Sequence, residues 1–145
     1  MSAYIPVDLK RRIKAQFSGR CAYCQSAEHL TVAIFEVEHI IPQAAGGETH
    51  LTNLCYTCPS CNRYKAIRQT APDPETRAIV PLFHPQQDHW ADHFTWNQDS
   101  TTLIGLTPTG RATIEALRMN RPQLLRVRRM WVKLGEHPPQ TPLPW

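Results

Sequence analysis

The 145-residue sequence has no long apolar run. Its uninterrupted hydrophobic stretches last only a few residues, far short of the about 20 a membrane-spanning helix needs. It also lacks a basic n-region followed by an apolar h-region. Met1 leads directly into Ser2-Ala3-Tyr4-Ile5-Pro6, so a cytoplasmic location is expected. Glycine is scarce, at six against thirteen prolines, which favours stiff turns over flexible linkers. Charged residues are only 19% and apolar residues 41%, which excludes an acidic, disordered chain. Internal repeats and low-complexity tracts are absent too. Disulfides are disfavoured in a reducing compartment, so the five cysteines point to metal binding or catalysis. The length suits one domain, or one domain with an appendage.

The net charge of +4 is unevenly spread. Residues 1–70 carry eight Lys/Arg against five Asp/Glu, residues 71–117 two against six, and residues 118–145 six against one. Basic ends around an acidic middle suggest a phosphate-binding surface. Coarsely, Pro6 to Phe17 reads as a helix, with Leu9, Ile13 and Phe17 on one stripe. Thr31 to Ile41 reads as a strand pair or one long strand, being rich in Val, Ile, Phe and Thr. Pro59 to Ile67 reads as a short helix, residues 70–76 as a linker or loop, and 79–83, 94–96 and 102–106 as short strands. Thr107 caps a helix with Pro108 at its first position. Pro122 to Leu134 is a second helix, and the proline-rich residues 135–145 are expected to form an extended tail.

Cys21-Ala-Tyr-Cys24 and Cys58-Pro-Ser-Cys61 are two C-x-x-C pairs. Each short turn can place two thiolates on one metal, and two pairs complete a closed, tetrahedral zinc site. The gap between the pairs exceeds that of a simple zinc ribbon, so something is inserted. Cys55 is read as a buried small hydrophobe rather than a fifth ligand.

The insert carries Glu36-Val37-Glu38-His39-Ile40-Ile41-Pro42, then Gly46-Gly47, then Asn53-Leu54, and leads into Cys58-Pro-Ser-Cys61-Asn62-Arg63-Tyr64-Lys65. Over residues 20–66 this resembles the HNH endonuclease family, built on a ββα-metal finger. The resemblance implies that His39 is the general base, that Glu38 and Asn62 hold a catalytic Mg²⁺ or Mn²⁺, and that Asn53 orients His39, by its side chain or by bracing the loop. Residue type alone does not choose among His29, His39 and His50; the place of His39 before Pro42 and the Gly-rich loop does. A neutral imidazole suits proton abstraction, and oxygen donors suit a hard cation. Glu38 stands where Asp or His is common, and Asn62 makes the motif His-Asn-Asn. Glu36, on the face of Glu38, is a reserve ligand. Adjacent residues on a flat strand face opposite sides, so the strand must end, twist or bulge for Glu38 and His39 to share a site.

The expected architecture is α+β: an HNH finger stabilised by zinc on Cys21, Cys24, Cys58 and Cys61, with an N-terminal helix, a small β region and C-terminal helices. Residues 1–70 form the nuclease core. Residues 71–145 form an extension, similar to that of small bacterial HNH proteins, that packs on the core. Its His-aromatic cluster at 83–96 is expected to pack rather than bind metal. Lys65, one helical turn beyond Asn62, is expected to touch a phosphate in catalysis. Arg63, Lys65, Arg126, Arg128, Arg129 and Lys133 are expected to contact double-stranded DNA. Nothing resembles a base-reading module, so little sequence preference is expected, with 5′-phosphate and 3′-hydroxyl products. No small-molecule cofactor is expected. The rivals are a non-catalytic zinc-bound nucleic-acid-binding module and a nuclease acting on RNA.

Overall fold

A computed structural model describes residues 4–139. Helix α1 (Val7–Gln16) leads into the first cysteine knuckle. Strands β1 (Glu36–His39) and β2 (Leu54–Thr57) pair antiparallel, and α2 (Pro59–Lys65) follows directly. This is a ββα finger. Strands β3 (Thr70–Pro72) and β4 (Ile79–Pro81) form a second hairpin. The short helix α3 (Trp90–His93) precedes a third, β5 (Phe94–Trp96) with β6 (Leu103–Gly105). Helices α4 (Pro108–Ala116) and α5 (Pro122–Lys133) close the fold. The class is α+β. No helix among the described residues is long and apolar enough to cross a membrane.

One continuous hydrophobic core joins these elements. It takes Ile13 and Phe17 from the α1 region, Leu54 from β2, Phe83 and Phe94 from the middle, and Leu124 and Trp131 from α5. The His-aromatic segment packs on the finger, as expected. Trp90 Nε1 donates to the Tyr23 carbonyl at 2.8 Å, and the Phe83 ring meets Tyr23 edge-on. Two of its three histidines are occupied locally: His93 Nδ1 lies 2.6 Å from Thr107 Oγ1, and His84 Nδ1 accepts from the Gln86 and Gln87 amides. The α4 start follows its sequence signal, because Thr107 Oγ1 accepts from Gly110 N at 3.0 Å.

Three expectations need correction. The strand over residues 31–41 shrinks to Glu36–His39. Val32 and Ile34 lie in a bend with their side chains in solvent, so no partner strand rewards their β propensity. Residues 70–76 are not wholly a linker or loop. They include β3 and a turn in which Asp73, fully buried, holds Arg111 through two hydrogen bonds of 3.0 and 2.9 Å. The tail does not begin at residue 135. His137 is buried between the Trp96 and Trp131 rings, its Nε2 2.9 Å from the Ser100 carbonyl oxygen. Residues 140–145 lie outside the described residues.

Arg128 is a fourth correction. Instead of facing DNA it is 0% exposed. Its guanidinium donates to the Thr101 and Met119 carbonyls at 3.0 and 2.8 Å and to Asn120 Oδ1 at 3.2 Å, and it stacks on Trp96. Burial lowers its pKa to about 10. Arg126, Arg129 and Lys133 are exposed. Arg128→Ala should therefore destabilise the protein by about 3 kcal/mol or more, since it orphans several buried acceptors and leaves a void. Arg129→Ala should stay within about 0.5 kcal/mol. Urea unfolding of the two variants side by side measures the difference.

Candidate metal centre and active site

The two knuckles bring Cys21, Cys24, Cys58 and Cys61 together. Their sulfurs all lie within 4.8 Å of one another, and all four residues are buried. Cys24 Sγ and Cys58 Sγ are 3.9 Å apart, close to the roughly 3.8 Å that tetrahedral Zn–S bonds of about 2.3 Å require. The four thiols share protons unevenly. Hydrogen bonds from Cys21, Cys58 and Cys61 push Cys24 well down, while burial pushes Cys21 up. An all-sulfur, buried, closed donor set fits structural zinc. Four thiolates around Zn²⁺ leave a net charge of −2, and the cations of Arg121 and Arg128 both act on this cluster. The buried Arg128 guanidinium is tolerated because its donors reach the Thr101 and Met119 carbonyls and Asn120 Oδ1. Cys55 stays out of the cluster, its Sγ 3.7 Å from Glu38 Oε1 and 4.0 Å from Tyr23 Oη.

His39 is the last residue of β1. Its Nε2 lies 2.8 Å from Thr49 Oγ1, a partner that residue type did not suggest. The ring is half-buried, and burial lowers its pKa below the ordinary histidine value, so it is neutral at pH 7. Asn53 does not touch the imidazole. Its Oδ1 accepts from Ile41 N at 2.8 Å, and its Nδ2 donates to the carbonyls of Ile41 and Glu48 at 3.1 and 2.9 Å. Of the two roles weighed for Asn53, the geometry is that of bracing the loop that carries Thr49. Gly46 turns that loop at φ +89°. Gly47 lets it close, since a Cβ there would stand 1.8 Å from the Ile41 carbonyl oxygen.

Strand β1 runs in regular register opposite β2, from Glu36↔Thr57 to His39↔Leu54. No bulge turns Glu38 toward His39; the strand simply ends there. By alternation Glu36 and Glu38 share one face and Val37 and His39 the other. On the first face Asn62 of α2 donates through Nδ2 to Glu36 Oε2. The carboxylate that meets Asn62 is thus the reserve residue Glu36. Glu38 is 7% exposed, against Cys55. Burial pushes its carboxyl up to about 7, against the pull of Lys65 and of hydrogen bonds from Tyr23 and Cys55. Glu36, Glu38 and Asn62 present only oxygen donors once the amide turns, which suits a hard divalent cation.

Lys65 is a correction. It is 2% exposed, with Nζ donating to the Ile40 carbonyl at 3.0 Å, so it is a structural cation under the loop rather than a phosphate contact. Arg63 is exposed on α2. His50 caps the turn before β2, its Nδ1 accepting from Thr52 N, and His29 lies in solvent near Glu136.

Comparison with known proteins agrees with this geometry. Residues 21–66 match the family model described as HNH endonuclease, so the cysteine-knuckled finger is similar to a domain of the HNH type. Among curated proteins, the chain is similar to the Septu protein PtuB of Bacillus mycoides (strain KBAB4), 29% identical over 116 residues. That alignment covers 63% of this chain and 39% of the relative, so the chain spans about two fifths of that protein's length. No solved structure matches significantly.

Proposed function

We propose that this chain is a metal-dependent nuclease that hydrolyses DNA phosphodiester bonds with His39 as general base. The observation that carries the reading is a half-buried His39 at the end of β1, held by Thr49, inside the segment that matches the HNH model. Thr49 engages Nε2, so Nδ1 is the atom that takes a proton from water. The hydroxide oxygen bonds to phosphorus as the bond to the 3′-oxygen breaks, and that oxygen picks up a proton from solvent. The products carry a 5′-phosphate and a 3′-hydroxyl. Asn53 acts through the loop, holding Thr49 and so the ring. Glu36, which lines the same cleft as His39 at the end of β1, would hold Mg²⁺ or Mn²⁺ together with Asn62 and Glu38. Such an ion, when bound, supplies Lewis-acid stabilisation of charge on the phosphate. Sequence preference is weak, because no helix among the described residues resembles a groove-reading module.

Incubating the zinc-loaded protein with duplex DNA, single-stranded DNA and RNA under Mg²⁺ or Mn²⁺ tests this reading. Divalent-dependent cutting of DNA is expected. Cutting of RNA alone would make it a ribonuclease. Binding without cutting under any cation would make it a zinc-bound nucleic-acid-binding module.

A further inference from the structure

A cleft of about 820 Å³ separates α1 from β1. On the strand side it is lined by Glu36, Val37 and His39, and on the helix side by Lys10, Arg11 and Lys14. The helix geometry accounts for these three cations. Ile13 and Phe17 are fully buried and anchor α1 to the core. Lys10 and Lys14, one turn apart, border that anchored stripe, and Arg11 is their neighbour at i+1 and i−3. Arg12 lies round the far side and does not line the cleft.

The charges there are uneven. Glu28 is already neutralised: Lys14 Nζ lies 3.0 Å from Oε1, Tyr56 Oη donates to the same atom at 2.7 Å, and Phe35 N donates to Oε2 at 2.7 Å. Burial opposes its ionisation, yet those bonds outweigh it and hold its pKa below the ordinary value. Arg11 meets Asp8 only at 3.7 Å, with both side chains almost fully in solvent, a pairing that contributes little. The Lys10 backbone N donates to the Pro6 carbonyl at 3.1 Å, but its ammonium has no hydrogen bond or ion pair with another described residue. Glu36 is turned to Asn62. With Lys14 taken up by Glu28, Lys10 and Arg11 still outnumber Glu36, the one carboxylate lining the cleft, so an excess of positive charge stands beside the imidazole. By contrast, the exposed row Arg126, Arg129 and Lys133 on α5 does not line the cleft.

We propose that the α1–β1 cleft seats the phosphodiester backbone of duplex DNA, with Lys10 and Arg11 holding phosphates next to the bond that His39 faces. The assignment rests on the nuclease reading for its substrate class. It moves the main grip from the C-terminal helix to the N-terminal one. Phosphate contacts position a duplex without reading sequence, in keeping with the absence of a base-reading element.

The test compares two double variants in a His39→Ala background that binds without cutting. One is Lys10→Gln with Arg11→Gln; the other is Arg126→Gln with Arg129→Gln. All four residues are exposed, and circular dichroism checks that both proteins fold. Binding of a labelled duplex is followed across a salt series. The α1 variant should weaken binding on all sequences alike and reduce the slope of log K against log salt by about 0.9 per lost contact, or about 2 in all. The α5 variant should leave the slope unchanged. An unchanged slope in the α1 variant, with the loss appearing in the α5 variant, would overturn the proposal. A wild-type protein that binds DNA with the expected α1 dependence but never cuts would sink the catalytic reading and leave the cleft assignment standing. In the cutting-competent protein the α1 variant should raise KM and leave kcat nearly unchanged, since Lys10 and Arg11 bind rather than react.

Discussion

Cys58→Ser should leave the chain unfolded at room temperature, and so should Cys21→Ser. The reason lies in the four buried sulfurs, which tie the first knuckle to the start of α2. Cys21 and Cys24 sit in a turn after α1, Cys58 and Cys61 at the start of α2, and between them the finger contributes only a four-residue strand pair and a seven-residue helix. A hairpin of that size is marginal alone. Four thiolates closing on one zinc supply, by analogy with zinc-finger peptides, an apparent free energy of about 10–16 kcal/mol near neutral pH. Much of the domain's net stability is then the metal's. Elemental analysis should find one zinc per chain, and a strong chelator should abolish the cooperative thermal transition. A well-folded protein without zinc, or a Cys58→Ser variant that melts like the wild type, would reject the site. Cys55→Ala should keep its zinc, since Cys55 Sγ points to Glu38 and Tyr23.

What the sequence discloses and what it hides follow different physics. The knuckles were legible because metal ligation demands fixed residue types at short spacing. The α4 start was legible because Thr107 and Pro108 act locally. The strand over residues 31–41 was misread because Val, Ile and Thr report a preference that only a partner strand can satisfy, and Val32 and Ile34 have none. Arg128 and Lys65 differ from expectation for one shared reason: their charge suggests solvent, while their helical phase puts them on buried faces. Arg128 stands at i+4 from Leu124 and i−3 from Trp131, on the buried stripe of α5. Lys65 stands at i+4 from Cys61 on α2, and both are buried. Periodicity could have flagged both, whereas Arg126, Arg129 and Lys133 fall on the opposite stripe. Thr49 and the exchange of Glu36 for Glu38 beside Asn62 had no such signal. They depend on where the loop closes and on which strand face meets α2, both set by tertiary packing.

His39→Ala should lower cleavage by about 10²–10⁴-fold, the usual contribution of a positioned general base. Binding and stability should barely change. The imidazole is half-buried at a strand end, and its hydrogen bond is to the Thr49 hydroxyl, so its loss removes one side-chain contact and orphans no deeply buried group. Asn53, which braces the loop, remains in place in that variant. His50→Ala serves as the control, because His50 belongs to the same loop but spends its Nδ1 on a local turn. Nicking of supercoiled plasmid by zinc-loaded wild type, His39→Ala and His50→Ala under Mg²⁺ or Mn²⁺ tests the central claim most directly. The account predicts nicking by the wild type and by His50→Ala, and almost none by His39→Ala. Equal nicking by wild type and His39→Ala would contradict it.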